Sequence, residues 1–444
     1  MKRLPLIAAP FLAALAAAQE TVQNAAPAAP AIDKADSAWL IVATALVLLM
    51  TPALALFYGG MVHRKNVLNT MLLSFLMMGI VSLLWVLVGY SIAFGQSTTG
   101  LFGSFEYVLG HGISATAPYP YVAQTIPAAL FMLFQMKFAI ITPALISGAI
   151  AERVKLRGYI ILTVLWSLLI YAPLACWVWN PGGWLFKLGA LDFAGGTVVH
   201  LASGVSALAL VLVIGKRKDL SPAPNNLVLT LLGAGLLWIG WFGFNAGSAL
   251  AINDVAVNAF LTTHLAAAAG MLAWLAAERW RGGKATALGG ASGLVAGLVG
   301  ITPAAGFVNV GGSILIGLIA GAVCYFAIQM KHRMGYDDAL DVVGVHGVGG
   351  LTGAILTGVF ADATINSAAT KAALEGGRLA LILKQLTAVG ATMAFAFLGS
   401  YLLARLVAAT VGLRASDDAV EAGLDEAIHG ESGYNIIPEP AFLG

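Results

Sequence analysis

The chain has 444 residues, of which 59% are hydrophobic and only 10% charged, with a net charge near +2. Soluble domains carry about a quarter charged residues, so this composition excludes an ordinary water-soluble globule and points to lipid as the solvent. The weak net charge gives no basic stripe for nucleic acid, and nucleic acid is not among the predicted partners.

The N-terminus reads as a secretory signal over residues 1–18. Lys2 and Arg3 form a basic start, Leu4 to Leu15 is an apolar run too short for a ~30 Å bilayer core, and Ala16-Ala17-Ala18 offers a cleavage site. An uncleaved anchor is the alternative. Residues 19–36 are Ala/Pro-rich and read as an exported lead. Residues 37–410 form one transmembrane domain of all-α, polytopic class. Apolar segments near the ~20 residues a span needs recur at about 38–60, 70–94, 125–149, 159–179, 194–214, 227–250, 255–277, 286–304, 312–330, 342–360 and 378–410. That is eleven predicted helices, the last longer than a bilayer requires. Cys176 and Cys324 lie within these runs and read as small core residues.

Loop charges set the predicted orientation. With the mature N-terminus outside, the cytoplasmic connections hold Arg64, Lys65, Arg153, Lys155, Arg157, Lys216, Arg217, Lys218, Arg279, Arg281, Lys284, Lys331 and Arg333. The outer ones hold Lys187, Lys371 and Arg378. This asymmetry follows the positive-inside rule and predicts a multi-pass protein of the inner (plasma) membrane with a cytoplasmic C-terminus. The tail, residues 411–444, carries Asp417, Asp418, Glu421, Asp425, Glu426, Glu431 and Glu439 and no Lys or Arg beyond Arg414, so it has nothing to hold anionic lipid.

Asp192 precedes His200 by eight positions at the start of the fifth predicted span, and Asp338 precedes His346 by eight at the start of the tenth. Five spans is an odd number, so two such units have opposite orientation: two inverted five-helix repeats plus a long eleventh helix. Each Asp stands where a helix N-terminus gains from an acidic cap. If helix runs unbroken from each Asp, eight residues rise about 12 Å, which brings both histidines near mid-membrane from opposite faces. An ionisable residue at that depth is a functional candidate, because burying it in lipid is costly. Two imidazoles in contact can share a proton and offer a polar edge to a small solute. No Cys or Glu cluster accompanies them, so no metal site and no cofactor are predicted. His264 lacks an Asp at that spacing and reads as a packing residue hydrogen-bonded to a neighbouring helix.

Four stretches are unusually specific: Phe134 to Leu145, Leu191 to His200, Trp238 to Ser248, and Gly344 to Gly350. With Phe57-Tyr58-Gly59-Gly60, Gly148 to Arg153 and the tail motif His429 to Tyr434, they closely resemble the ammonium transporter (Amt/Mep/Rh) family, on its bacterial Amt branch, from about Ser37 onward. The resemblance implies uptake of ammonium or ammonia through a narrow hydrophobic pore. It assigns recruitment to Phe138, Trp179 and Ser248, with Asp192 ordering that site. It makes Phe138 and Phe244 the gate, and His200, His346 and Trp241 the pore lining. It also implies a homotrimer, and a tail that can meet a PII-type signalling protein. Trp179 fits the Amt branch better than the Rh branch; Trp177 and Trp184 are its competitors for that position. Lys137, where relatives have an uncharged residue, is expected to point away from the path.

The alternative within this fold is an ammonium sensor signalling through the tail. An intramembrane enzyme lacks a nucleophile or a metal site in this sequence, so no enzyme activity and no catalytic residue are predicted. A Rh-like channel that also passes carbon dioxide is a lesser alternative.

Overall fold

A computed structural model describes residues 31–221 and 224–434. The predicted signal, and the exported lead up to residue 30, lie outside the described residues. Among those described, ten helices are long and apolar enough to cross a bilayer: α1 (Lys34–Met61), α2 (Arg64–Phe94), α3 (Ala128–Ile150), α4 (Leu156–Leu188), α5 (Gly196–Ile214), α6 (Leu227–Gly247), α7 (Asp254–Trp280), α9 (Val310–Lys331), α10 (Val343–Phe360) and α11 (Arg378–Thr410). The shorter apolar helix Ala287–Ile301 is α8. The chain is thus a mostly helical, multi-pass membrane protein. Helix is forced by the solvent, because in hydrocarbon each backbone N–H and C=O must be paired within its own segment.

The helix boundaries follow local chemistry. The first helix starts at Lys34, inside the stretch read as exported lead, because Asp33 accepts from Ala35 N and Asp36 N and supplies an N-cap. The eighth closes at Ile301, earlier than the predicted 304: Pro303 has no N–H to continue the ladder, and tighter bonds, Thr302 N to Val299 O and Ala304 N to Ile301 O, take over. Its 15 residues rise about 22 Å, short of a bilayer core. A two-stranded antiparallel ribbon, β1 (Pro118–Tyr119) with β2 (Ala123–Pro127), leads into α3.

α3 and α5 are the most buried spans and form the centre of the bundle. The backbones of α5 and α10 meet there. A Cβ on Gly204 would fall 2.1 Å from the Gly347 nitrogen, so only glycine permits this crossing. At one end, called the vestibule end below, lie Trp179, Asp192 and Ser248. At the other, the tail end, a polar network ties the connections together. Arg153 donates to the carbonyls of Ala151, Gly215 and Asp337, and Arg217 bridges Glu152 (2.8 Å) and Asp337 (2.9 Å). The described tail packs on this end: the Asp425 carboxylate accepts from Leu68 N and Asn69 N, and Tyr434 Oη donates to Asn225 Oδ1.

Candidate functional site

The eight-residue spacing is not a run of continuous helix. Asp192 lies in a loop; Gly195, at φ +112°, turns the chain, and a π-helical turn then covers Gly196–Leu201. Asp338 likewise precedes a positive-φ Asp341 and a π-helical turn over Val343–Gly347. Each histidine therefore sits in the first, widened turn of its span. The expectation that each Asp caps its helix describes Asp192 well. One carboxylate oxygen accepts from Gly195 N (2.8 Å) and Gly196 N (2.7 Å), the other from Thr197 N (2.8 Å), Val198 N (3.3 Å) and the Thr197 hydroxyl. Burial raises this carboxyl above the usual carboxylate range, and the Thr197 hydroxyl and the backbone donors pull against that rise.

At the vestibule end a cavity of about 630 Å³ is lined by Phe138, Trp179, Asp192 and Ser248, among others. Trp179, rather than Trp177 or Trp184, stands edge-on to Phe138 (centroids 5.8 Å, 81°). Its indole N–H donates to the Asp192 carbonyl at 3.0 Å, which fixes the ring. Trp177 instead donates to Leu101 O and packs on Trp184 and Phe395. Ser248 Oγ donates to Phe244 O at 2.8 Å, which leaves its oxygen lone pairs as acceptors toward the cavity. Beneath, Phe138 and Phe244 pack with centroids 4.2 Å apart and close the floor.

Below the phenylalanines, His200 and His346 meet Nδ1 to Nδ1 at 3.2 Å, rings 5.2 Å apart and tilted only 19°. One Nδ1 must carry the proton and the other accept it. His200 Nε2 is buried with no partner among the described residues, so one polar ring atom is left for a solute. Trp241 stacks on His200 (5.3 Å, 19°) and is held by its indole N–H to Thr302 Oγ1 at 2.8 Å. The slot around this pair is otherwise lined by Met50, Leu54, Ile141, Leu145, Val295 and similar apolar groups, and offers about 10 Å³. That is room for about one water-sized solute, not a hydrated ion.

The geometry thus brings together Phe138, Trp179, Ser248 and Asp192 around the cavity, and Phe244, Trp241, His200 and His346 below it. Lys137 does not line the cavity; it is half-buried, with Met136 Sδ as its polar neighbour at 3.8 Å. His264 corrects an expectation. It makes no hydrogen bond among the described residues and instead stacks, exposed, on Trp238 (5.1 Å, 25°). Gln135 was not anticipated. It lines the cavity one turn before Phe138, and its Oε1 is buried without a partner among the described residues. A polar residue three positions from Phe138 on one helix face was the available signal. Also unanticipated are Lys187, Lys384 and Glu375 on the cavity wall, since their spacing in the sequence carries no pattern.

Residues 38–434 match the model of the Ammonium Transporter Family. The chain belongs to the ammonium transporter family. It is 49% identical over 401 residues to the ammonium transporter of Bacillus subtilis, covering 90% of this chain and 98% of that one. It is 47% identical over 400 residues to ammonium transporter Amt1 of Archaeoglobus fulgidus, covering 89% of this chain and 98% of that one. Among solved structures it resembles Saccharomyces cerevisiae Mep2 (TM-score 0.80, 36% identity, 87% of this chain and 88% of that one). It also resembles one described as Sensor Amt Protein (TM-score 0.81, 28% identity, 89% and 98%). The Bacillus subtilis and archaeal relatives are named ammonium transporters. For this membership, ammonium or ammonia is the substrate and the bilayer the medium.

Proposed function

We propose that this ammonium transporter recruits ammonium in the aromatic cavity, removes a proton near the Phe138–Phe244 pair, passes ammonia along His200 and His346, and relays the released proton through the same two imidazoles. The observation that carries this reading is the uninterrupted order of aromatic cavity, closed phenylalanine pair and narrow apolar slot, where the buried His200 Nε2 has no partner among the described residues. A desolvated cation over aromatic faces gains about 2 kcal/mol. Carrying a charge to the bilayer centre costs from about 2.5 to above 10 kcal/mol, so the aromatic contact alone does not carry the ion across. Removing a proton at pH 7 from an amine-like cation, taking a Lys-like value near 10.4 as the upper guide, costs roughly 3–5 kcal/mol. Deprotonation is therefore comparable with the ion's crossing or cheaper. Potassium has no proton to give up, and selectivity follows. Asp192 orders the cavity floor, since its oxygens are taken up by the turn that carries His200, and Trp241 braces the ring beneath.

The wider arrangement belongs to the same proposal. Eleven spanning helices in two inverted five-helix repeats plus a long eleventh, with the vestibule end outside and the tail in the cytoplasm, fit the lysine and arginine asymmetry. The plasma membrane, a cleaved signal over residues 1–18, a homotrimer and a PII-type partner at the tail end are proposed on the sequence and the family resemblance. The similarity to a protein described as a sensor Amt supports, as a second reading, signalling through the tail.

Currents on solid-supported membranes with ammonium, methylammonium and potassium test the proposal. Ammonium is expected to give current and potassium none. A current that persists in the His200→Ala/His346→Ala double variant overturns the proton relay. Rescue of ammonium-limited growth in a transport-deficient host separates transport from sensing.

A further inference from the structure

Asp192 and Asp338 occupy matching places before the two histidine turns, but their surroundings differ. Both oxygens of Asp192 are saturated with donors. Asp338 is fully buried; Val343 N donates to its Oδ2 at 2.7 Å, and the Val342 backbone N–H adds a weaker pull on the same carboxylate. Its Oδ1 has no accessible surface and no partner among the described residues. The segment cannot easily swing to relieve this: Ala339 N donates to Ala149 O, Arg153 Nη2 to Asp337 O at 2.6 Å, and Lys331 Nζ to the carbonyl of Asp338 at 2.9 Å.

A buried ionised oxygen without a donor is costly, and a charge in such a place is neutralised rather than tolerated. The ion that can satisfy Oδ1 without opening space for itself is a proton. We propose that Asp338 is a proton-binding site at the tail end, which takes up H⁺ from the adjoining aqueous compartment to become a carboxylic acid and returns it as a carboxylate. The charged and titratable groups around it are Lys331, Asp341 and Tyr336 beside it in sequence, Tyr58 of α1, and the Arg153–Asp337 pair. Lys331 turns its ammonium to the Asp341 carboxylate (2.5 Å) and to the Asp338 carbonyl, leaving the Asp338 carboxylate without a counter-ion in contact among the described residues. Burial, followed by the nearby Asp341 charge, raises the Asp338 carboxyl to about 6, in keeping with uptake of a proton close to neutrality. Val343 N, which donates to Oδ2, opens the π-helical turn that holds His346. Protonation withdraws the charge from that hydrogen bond and loosens the anchor of the His346 turn, so the pore senses the acidity of the compartment at the tail end.

The test uses the full chain reconstituted in lipid. Infrared difference spectra between about pH 8 and pH 4 should show a carboxylic-acid C=O band that titrates near 6 and is lost in Asp338→Asn. In Asp338→Glu the band should persist with a shifted frequency and midpoint, which decides the matter if the Asn variant fails to fold. Absence of a titrating band in the wild type, or one unchanged in both variants, overturns the proposal. The spectra do not depend on transport, whereas the pore-sensing part rests on the transport reading. For that part, ammonium current should follow the band's pH midpoint in the wild type and lose this dependence in Asp338→Asn. A current with the same pH profile in both overturns the coupling to the pore; no ammonium current in any protein overturns the transport reading and leaves the spectra to judge the proton site.

Discussion

Replacing Asp192 tests whether this carboxylate organises the site or meets the substrate. Asp192→Ala removes the three short backbone contacts from Gly195, Gly196 and Thr197 together with the weaker one from Val198. Three buried N–H groups left unpaired cost about 1–3 kcal/mol each, or roughly 3–9 kcal/mol in all. The low end applies, because water from the adjoining cavity can reach some of them. In Asp192→Asn the amide oxygen keeps the Gly195 and Gly196 contacts while its NH₂ faces Thr197 N, so about 1–3 kcal/mol is lost. Thermal unfolding in detergent should therefore rank wild type above Asn above Ala. Ammonium uptake should fall in the same order through maximal rate rather than through KM, since the loosened turn misplaces His200. Wild-type unfolding and uptake in the Ala variant would refute the organising role. A raised KM at unchanged maximal rate in the Asn variant would show that the carboxylate binds the ion itself.

At the tail end, Arg217→Gln leaves Glu152 and Asp337 buried without their guanidinium partner, an expected loss of about 3–5 kcal/mol. Burial pushes both carboxyls up, but the His63 N–H and Arg217 outweigh it at Glu152, and Arg217 and Arg153 do so at Asp337, so both lie below their usual range. Depressed carboxyls contribute stability that is present above their unfolded values, near 4, and lost as pH falls through the folded ones. The variant should thus unfold at a higher pH than wild type on acid titration; an unchanged acid midpoint contradicts this. Gly204→Val drives a side chain into the Gly347 backbone and should abolish uptake by parting His200 from His346, with full uptake the contrary result. Asp425→Ala uncaps Leu68 N and Asn69 N and should expose the tail to limited proteolysis, at about 1–2 kcal/mol and with the bundle intact. Protection equal to wild type would show that other contacts hold the tail.

The spans were legible because lipid imposes one rule on every segment: apolar, helical, about 20 residues. His200, His346 and Asp192 stood out for the complementary reason, as polar groups where polarity is expensive. What stayed hidden depends on backbone course rather than residue type. Hydropathy does not distinguish an α-turn from the π-turns at Gly196–Leu201 and Val343–Gly347, so the sequence carries no sign that the helix is broken between each Asp and its His. The selection of Trp179 over Trp177 came from a single carbonyl, that of Asp192, folding back beneath the indole. Gln135 was passed over because one amide in an apolar helix resembles a packing residue until the cavity beside it is known. His264 was given a hydrogen bond because buried imidazoles usually have one; it lies at the surface and its ring is met by Trp238 instead.

The two π-turns make the aim of the histidines a matter of residue count. A π-turn holds one residue more than the α-turn it replaces, and each residue of α-helix turns the chain by about 100°. Deleting Val199 would leave every motif around His200 recognisable while letting the turn close to α. The imidazole would then rotate about a quarter-turn off the axis it shares with His346 and Trp241. Single-residue deletions on the N-terminal side of either histidine should therefore be as damaging as loss of the histidine itself. Substitutions at the same positions that keep the count should not.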